Sequence, residues 1–487
     1  MTQVTQKNGS FFDRAMSNLR DAWLEIAQTV GLAEGDGAAA QAADLRARIR
    51  ECVEARGGEV SARARAANIG RLYLGLDGEG RRRFLQVLAE DFAADPDALY
   101  AEIKGYDPSL PAADRLALED RLRAALAAPR VALLRQFNAL PEGTKFVVDL
   151  RADLLREIRG DPHLAALDRD IEALLADWFD VGFLELRAIS WNSPAALLEK
   201  LIAYESVHEI RSWSDLRNRL SGDRRCYAFF HPRMPEEPLI FVEVALVQGL
   251  SGSIQALLDE GAPEQDPRKA DTAIFYSISN TQVGLRGISF GNFLIKRVVD
   301  QLAAEFPQLR HFSTLSPIPG FRAWLDRRLA EAPEDLLAAE DRAAIAALGQ
   351  GEGVEGLKAV LARQDWLDDA AAAAALERPL TRLCASYLLE KRPDGRASDA
   401  VARFHLGNGA RIERLNWRGD LSPKGVKQAA GLMVNYLYDR AEIEENHEAY
   451  ARDGAIAVSA AVQALVDSRA ARTRVRGRRL GGLLKAG

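Results

Sequence analysis

One stretch limits what this chain can become more than any other: the run from Thr272 to Leu325, TAIFYSISNTQVGLRGISFGNFLIKRVVDQLAAEFPQLRHFSTLSPIPGFRAWL. An apolar, β-branched and aromatic segment, Thr272 to Ile278, reads as a strand. It enters a turn punctuated by Gly284, Gly287 and Gly291. Phe293, Leu294, Val298, Val299 and Leu302 then recur at helical spacing, and a short strand, His311 to Leu315, ends in Ser316-Pro317-Ile318-Pro319-Gly320. The unit is strand, loop, helix, strand, and its two loops stand where such units bind phosphates and carry out chemistry.

A turn that brings backbone N–H groups onto a phosphate has no room for side chains, and the N-terminus of the following helix adds a dipole that favours the anion. Read alone, a plain turn and helix cap accounts for these glycines equally well. Arg286-Gly287-Ile288-Ser289-Phe290-Gly291 resembles the acyl-CoA pyrophosphate loop of the GNAT acetyltransferase fold, written R/Q-x-x-G-x-G/A, with Ser289 in place of the first glycine. The second loop is more specific. Phe312 to Leu325 (FSTLSPIPGFRAWL), Phe404 to Asn416 (FHLGNGARIERLN) and Gly431 to Tyr438 (GLMVNYLY) resemble, in order, segments of the malonyl-CoA decarboxylase family. That resemblance is strong from about Cys226 to Tyr438. Towards the N-terminus it extends only to helical character.

A chain of 487 residues exceeds what one core usually organises, so two domains or more are expected. From Phe11 to about Ala188 the pattern is helical nearly throughout. Leu45, Ile49, Cys52 and Val53 fall at helix spacing, as do Phe84, Leu85, Leu88 and Phe92, and Asp95-Pro96 and Asp161-Pro162 mark helix starts. The arginines of this region, Arg63, Arg65 and Arg81 to Arg83 among them, read as solvated helix faces because acidic residues are interleaved. Near Ile189 the character changes. Two strands, Cys226 to His231 and Leu239 to Leu246, read as an adjacent antiparallel pair, and the apolar IFVEVAL run predicts a strand buried on both faces. The expected fold is α+β and multidomain: an all-α bundle over 1–188, then a GNAT acetyltransferase-like α/β domain over 189–487. That domain is expected to have a mixed, mostly antiparallel sheet split around an acyl-CoA cleft, and an Ala-rich helical insertion at about 326–394. Asp420 to Pro423 predicts a capped helix start, and the apolar spacing extends that helix through Leu432, Met433 and Val434.

The net charge of −6 gives no general attraction to nucleic acid or anionic lipid. The Arg-rich tail, Arg469 to Lys485, has no interleaved aromatic residue to stack on bases and reads as a solvated end. Cys52, Cys226 and Cys384 are far apart and lack metal-site spacing, which suits a reducing compartment. The histidines, His231 included, are isolated from other ligand types, so no metal is expected. No segment has the length and apolarity of a membrane span or a secretory signal, and a cytoplasmic location is expected.

The resemblance implies a reaction, malonyl-CoA to acetyl-CoA and carbon dioxide, with the helical domain serving homo-oligomer assembly as a tetramer or dimer. Decarboxylating a malonyl thioester requires donors for the developing enolate and a proton delivered to carbon by a group titrating near neutrality. One hydroxyl and one imidazole meet that need with neither metal nor organic cofactor. Ser316 and His405 match the family's catalytic serine and histidine, and Tyr438 matches a tyrosine near them. The phosphate-loop resemblance puts Arg286, Gly287, Ser289, Gly291 and Asn292 on the substrate, and Asn280, at the exit of the central strand, is placed to donate an amide hydrogen bond to the thioester region. The ordinary readings are an N-cap serine before Pro317, a surface histidine at a helix end, a core tyrosine near Met433 and a turn-forming Asn280. Ser289 departs from the glutamate that some animal members carry, which fits a phosphate-loop role better than an acidic one. The rival functions are a CoA-dependent acyltransferase of the same fold, a Ser–His thioesterase, which lacks a G-x-S-x-G elbow, and a non-catalytic acyl-CoA sensor.

Overall fold

A computed structural model of the protein describes residues 38–54, 58–288, 294–331 and 336–467, together with Leu19, Arg20 and Trp23. Ser289, Gly291, Asn292 and the Arg-rich tail lie outside the described residues. Two compact units are formed: 1–185 with 230–239 and 280–290, and 186–229 with 240–279 and 291–487.

The first unit is helical from Ala38–Val53 to Pro162–Trp178. Leu45, Ile49, Cys52, Phe84, Leu85, Leu88 and Phe92 are buried, as their spacing predicts. Asp95 and Asp161 cap helices that begin at Pro96 and Pro162, each carboxylate accepting two backbone N–H groups of the first turn. The core is aromatic: Trp23, Phe137 and Phe146 pack with ring centroids 4.8–6.2 Å apart. Arg63 and Arg83 pair with Glu59 and Glu79 one turn earlier, which fits solvated faces. Arg151 does not follow that reading. It is buried, pairs with Asp168, and donates to the backbone oxygens of Gly284 and Arg286 at 3.0 and 2.8 Å.

The second unit is built on an eight-stranded sheet: β1 (Glu185–Ile189), β2 (Arg224–Phe230), β3 (Ile240–Val247), β4 (Thr272–Asn280), β5 (His311–Thr314), β6 (Ser316–Pro317), β7 (Arg411–Asn416) and β8 (Met433–Leu437). The order is β1-β2-β3-β4-β5-β8-β6, with β7 paired to β8. β2 and β3 are antiparallel, Arg224 opposite Ala245 through Phe229 opposite Ile240. β4 and β5 are parallel from Thr272/His311 to Phe275/Thr314, joined through the amphipathic helix Leu294–Glu305. β8 runs antiparallel to β5, β6 and β7. The sheet is mixed and mostly antiparallel, with a parallel β4–helix–β5 unit at its centre, which is the acetyltransferase-type arrangement.

β3 is buried from Ile240 to Leu246, as an apolar strand covered on both faces must be. That burial includes Glu243, whose carboxylate accepts from Arg219 of the helix Trp213–Arg219 at 3.0 Å. The Ala-rich insertion is helical: Ala339–Ala346, Gly353–Ala362 and Ala370–Leu388.

One predicted element is corrected. The helix that begins at Pro423, capped by Ser422, stops at Ala429 and does not run through Met433 and Val434. Ala430 and Gly431 take left-handed backbone with φ of 51° and 79°, which ends the helix, and Met433 to Leu437 forms β8.

Candidate functional site

Three segments far apart in sequence meet at Ser316. β5 and β6 place Thr314 and Ser316, two residues apart and so on one face of the sheet. Across the ladder, Ser316 pairs with Val434 of β8, and the same strand carries Tyr436 and continues to Tyr438. The third segment is the helix Ala400–Gly407. Asp399 caps it, accepting from the N–H groups of Val401 and Ala402 at 2.9 Å. Gly409, at φ 80°, closes it where a Cβ would stand 2.1 Å from the Ile443 oxygen, so only glycine fits. Fixed at both ends, this helix holds His405 in its last turn.

His405 Nε2 lies 3.1 Å from Ser316 Oγ, 89 positions away in sequence, and its Nδ1 lies 2.7 Å from the Tyr438 hydroxyl. The Tyr436 ring stacks on the imidazole at 4.5 Å and 24°. Ser316 Oγ also lies 2.8 Å from Thr314 Oγ1, which accepts from the Tyr436 N–H at 3.1 Å. Asn435 points the other way and donates to the Thr314 oxygen at 2.7 Å, holding that residue's backbone. Ser316, His405, Thr314 and Tyr438 are all buried.

No carboxylate touches either imidazole nitrogen among the described residues. Burial therefore acts on His405 alone and pulls its pKa from 6.5 to about 3. This corrects the expectation of an imidazole titrating near neutrality: in the resting protein the ring is neutral. Burial also pushes the Tyr438 hydroxyl well above its ordinary value, so it keeps its proton.

The sequence-predicted residues divide cleanly. Ser316, His405 and Tyr438 are brought together. Asn280 ends β4, exposed; Arg286 and Gly287 lie in the segment that belongs to the first unit, and Gly287 has φ 87°. Gly284, just before them, would put a Cβ 1.8 Å from the Val148 oxygen, so the turn's close approach to that helix requires glycine. Ser289, Gly291 and Asn292 lie outside the described residues. Sequence reasoning passed over Thr314, Tyr436 and Asn435. For Tyr436 the signal available was the period-two pattern of β8, which sets it on the same face as Tyr438. His231 has a structural role: Nε2 lies 3.0 Å from the Trp178 oxygen and Nδ1 accepts from the Arg233 N–H. Among the described residues no group of three or more His, Cys, Asp or Glu is placed to hold a metal ion.

An acetyltransferase-type sheet carrying a buried hydroxyl–imidazole pair defines an enzyme of the acyl-CoA class. Comparison with known proteins narrows this. Residues 92–179 match the malonyl-CoA decarboxylase N-terminal domain and residues 182–476 the malonyl-CoA decarboxylase C-terminal domain. The mitochondrial malonyl-CoA decarboxylase of Anser anser anser is 39% identical over 406 residues, covering 80% of each chain. The crystal structure of malonyl-CoA decarboxylase from Rhodopseudomonas palustris aligns at 44% identity and a TM-score of 0.79, over 86% of this chain and 98% of that one. The enzyme from Agrobacterium vitis aligns at 44% identity and 0.77, over 87% and 99%. The chain belongs to the malonyl-CoA decarboxylase family, and is thus a carboxy-lyase acting on a CoA thioester. Among the described residues no helix is long and apolar enough to cross a membrane.

Proposed function

We propose that the chain converts malonyl-CoA to acetyl-CoA and carbon dioxide through Ser316 and His405, with Tyr438 beside them and no metal in the reaction. The observation that carries this reading is the 3.1 Å contact between Ser316 Oγ and His405 Nε2 inside the sheet unit. The bond between the malonyl carboxylate carbon and the methylene breaks, its electron pair spreads onto the thioester oxygen, and carbon dioxide leaves. Hydroxyl donors then hold the enolate oxygen until a proton reaches carbon. One proton from solvent is consumed per turnover.

His405 is neutral at rest, and the negative charge of the bound substrate supplies what its surroundings lack. An anion a few Å from a desolvated imidazole raises its pKa by Coulomb attraction, which is strong where water is excluded. The position of His405 in the last helical turn and the Tyr436 π face favour a cation in the same direction. The ring becomes imidazolium only while a substrate anion lies beside it.

Asn280, Arg286, Gly287, Ser289, Gly291 and Asn292 bind the substrate in this reading, Arg286 meeting the phosphates of CoA. Residues 1–188 form the assembly domain of a homo-oligomer, tetramer or dimer. Residues 189–487 form the catalytic domain with its insertion at about 326–394. The protein works in the cytoplasm with neither nucleic acid nor membrane as partner; the Anser anser anser relative is named mitochondrial.

Incubation with malonyl-CoA and no acceptor tests the proposal. Release of carbon dioxide with stoichiometric acetyl-CoA is expected. An idle enzyme that turns over only when an acyl acceptor is added is a transferase, and release of free CoA thiol is thioesterase chemistry; either result overturns the reading.

A further inference from the structure

Arg151 has no part in the roles proposed so far, and its charge is already committed. It stands on the helix Gly143–Glu157 with 2% of its side chain exposed, its Nε donating to Asp168 at 2.8 Å and its Nη2 lying 3.5 Å from Glu172. The third nitrogen, Nη1, is turned on backbone: it donates to the Gly284 oxygen at 3.0 Å and to the Arg286 oxygen at 2.8 Å. A guanidinium buried and paired in this way reaches no phosphate itself. What it holds is the turn.

That turn has a definite type. Arg286 has φ −58° and ψ 131°, Gly287 has φ 87°, and the Ile288 N–H donates to the Leu285 oxygen at 3.1 Å, so Leu285 to Ile288 form a type II turn. A type I turn closes the same hydrogen bond with φ of about −90° at the third residue, and the two types differ in which way the central peptide faces. A trans peptide points its oxygen and its N–H in opposite directions. Because the Arg286 oxygen is drawn to Arg151, the Gly287 N–H faces away from the guanidinium. Gly287 is exposed, and among the described residues its N–H has no hydrogen-bond partner. In the flipped form an oxygen would meet an incoming anion instead. Glycine adopts either form without strain, so the choice falls to the contact with Arg151.

We propose that Arg151 is a positioning residue for the phosphates of the CoA ester. By holding the Arg286 oxygen it keeps the Gly287 N–H turned out as a donor to a phosphate oxygen. The inference rests on the reading above that Arg286 and Gly287 meet those phosphates, and it adds what orients them. A donor that already faces its ligand needs no reorganisation on binding, whereas a peptide free to flip offers an oxygen part of the time and weakens binding in proportion. The helical unit thereby raises substrate affinity through a residue that touches no substrate.

The test uses the full-length protein, steady-state turnover of malonyl-CoA, and competitive inhibition by CoA and by pantetheine, which carries no phosphate. Arg151→Met should raise KM for malonyl-CoA and the inhibition constant of CoA by about 10- to 50-fold, with kcat within about three-fold of wild type and inhibition by pantetheine unchanged. Gly287→Ala penalises the positive φ and favours the flipped turn while leaving Arg151 its carboxylates, so it should show the same pattern and keeps the proposal open to refutation if Arg151→Met fails to fold. Equal losses for CoA and pantetheine, or a fall in kcat with KM unchanged, would mean that Arg151 supports the fold alone. A loss in Arg151→Met that Gly287→Ala does not reproduce would mean that the guanidinium acts by its charge, and would overturn the orienting role. If Arg286→Gln leaves CoA affinity intact, the phosphate reading underneath falls. If it weakens CoA while Arg151→Met and Gly287→Ala do not, only the role of Arg151 falls.

Discussion

Two of the buried polar clusters in the sheet unit are opposites. Around Arg219 every charge is matched within the protein. Asp215 receives two of its N–H groups, at 2.8 and 3.3 Å, Glu243 a third at 3.0 Å, and the Glu209 oxygen a fourth at 3.1 Å. Burial opposes the guanidinium charge, but Glu243 and Asp215 outweigh it and raise its pKa; burial likewise lifts the Glu243 carboxyl to about 8 against the pull of Arg219. Among the described residues, the groups that His405 contacts through its ring nitrogens and stacked face carry no full charge: they are the hydroxyls of Ser316 and Tyr438 and the ring of Tyr436. The first cluster spends its electrostatics on itself and leaves nothing for a ligand. The second is as thoroughly desolvated but keeps its field unspent, so that the first ion to reach it is felt at full strength.

The largest effect expected from breaking this contrast is kinetic. His405→Ala should lower decarboxylation about 1,000-fold or more while CoA-ester binding, followed by calorimetry, barely changes. Near-wild-type turnover would remove the uncharged cluster from the chemistry. The same attack on the charged cluster should be felt as stability. Arg219→Met leaves Glu243 and Asp215 facing each other's burial without a cation, at a cost of about 3–5 kcal/mol in denaturant unfolding. A change below about 1 kcal/mol would mean that the ion pairs are not what holds this helix to β3.

The third prediction concerns acid. His405 has a folded pKa of about 3 against 6.5 when unfolded, so between those values the unfolded chain binds the extra proton. Its contribution to stability is complete above about pH 6.5 and is lost as the pH falls towards 3, about 5 kcal/mol in all. Melting temperatures of the wild type and His405→Asn from pH 7 down to 4 should converge; parallel curves would show that the ring is not held neutral. The smallest effect should come from Glu243→Gln. Gln keeps the hydrogen bond to Arg219 where burial already disfavours the carboxylate charge, so a loss within about 1 kcal/mol is expected. A loss as large as that of Arg219→Met would make Glu243 a full ionic partner and widen the contrast.

What the sequence disclosed follows from the range over which each signal acts. The β4–turn–helix–β5 unit was legible because period and glycine placement are local. Ser316, His405 and Tyr438 emerged from family resemblance; no spacing rule joins residues 89 positions apart. β8 was misread because Val426, Leu432, Met433 and Val434 continue a helical stripe, and the break rests on two backbone dihedrals at Ala430 and Gly431. Once β8 was hidden, so was the face that Tyr436 and Tyr438 share, and with it Thr314. Glu243 was passed over inside an apolar run because its partner Arg219 lies on a helix whose side chains reveal nothing about a strand still to come.

Arg151 carries one more lesson. Its guanidinium, rooted in the helix Gly143–Glu157, clasps the carbonyls of Gly284 and Arg286 more than 130 positions downstream. Severing the chain near 188 would therefore do more than remove a helical segment. It would strip the Gly284–Arg286 turn of its clamp, so a fragment beginning at 189 should have to be supplied with its helical half in trans before that turn regains its shape.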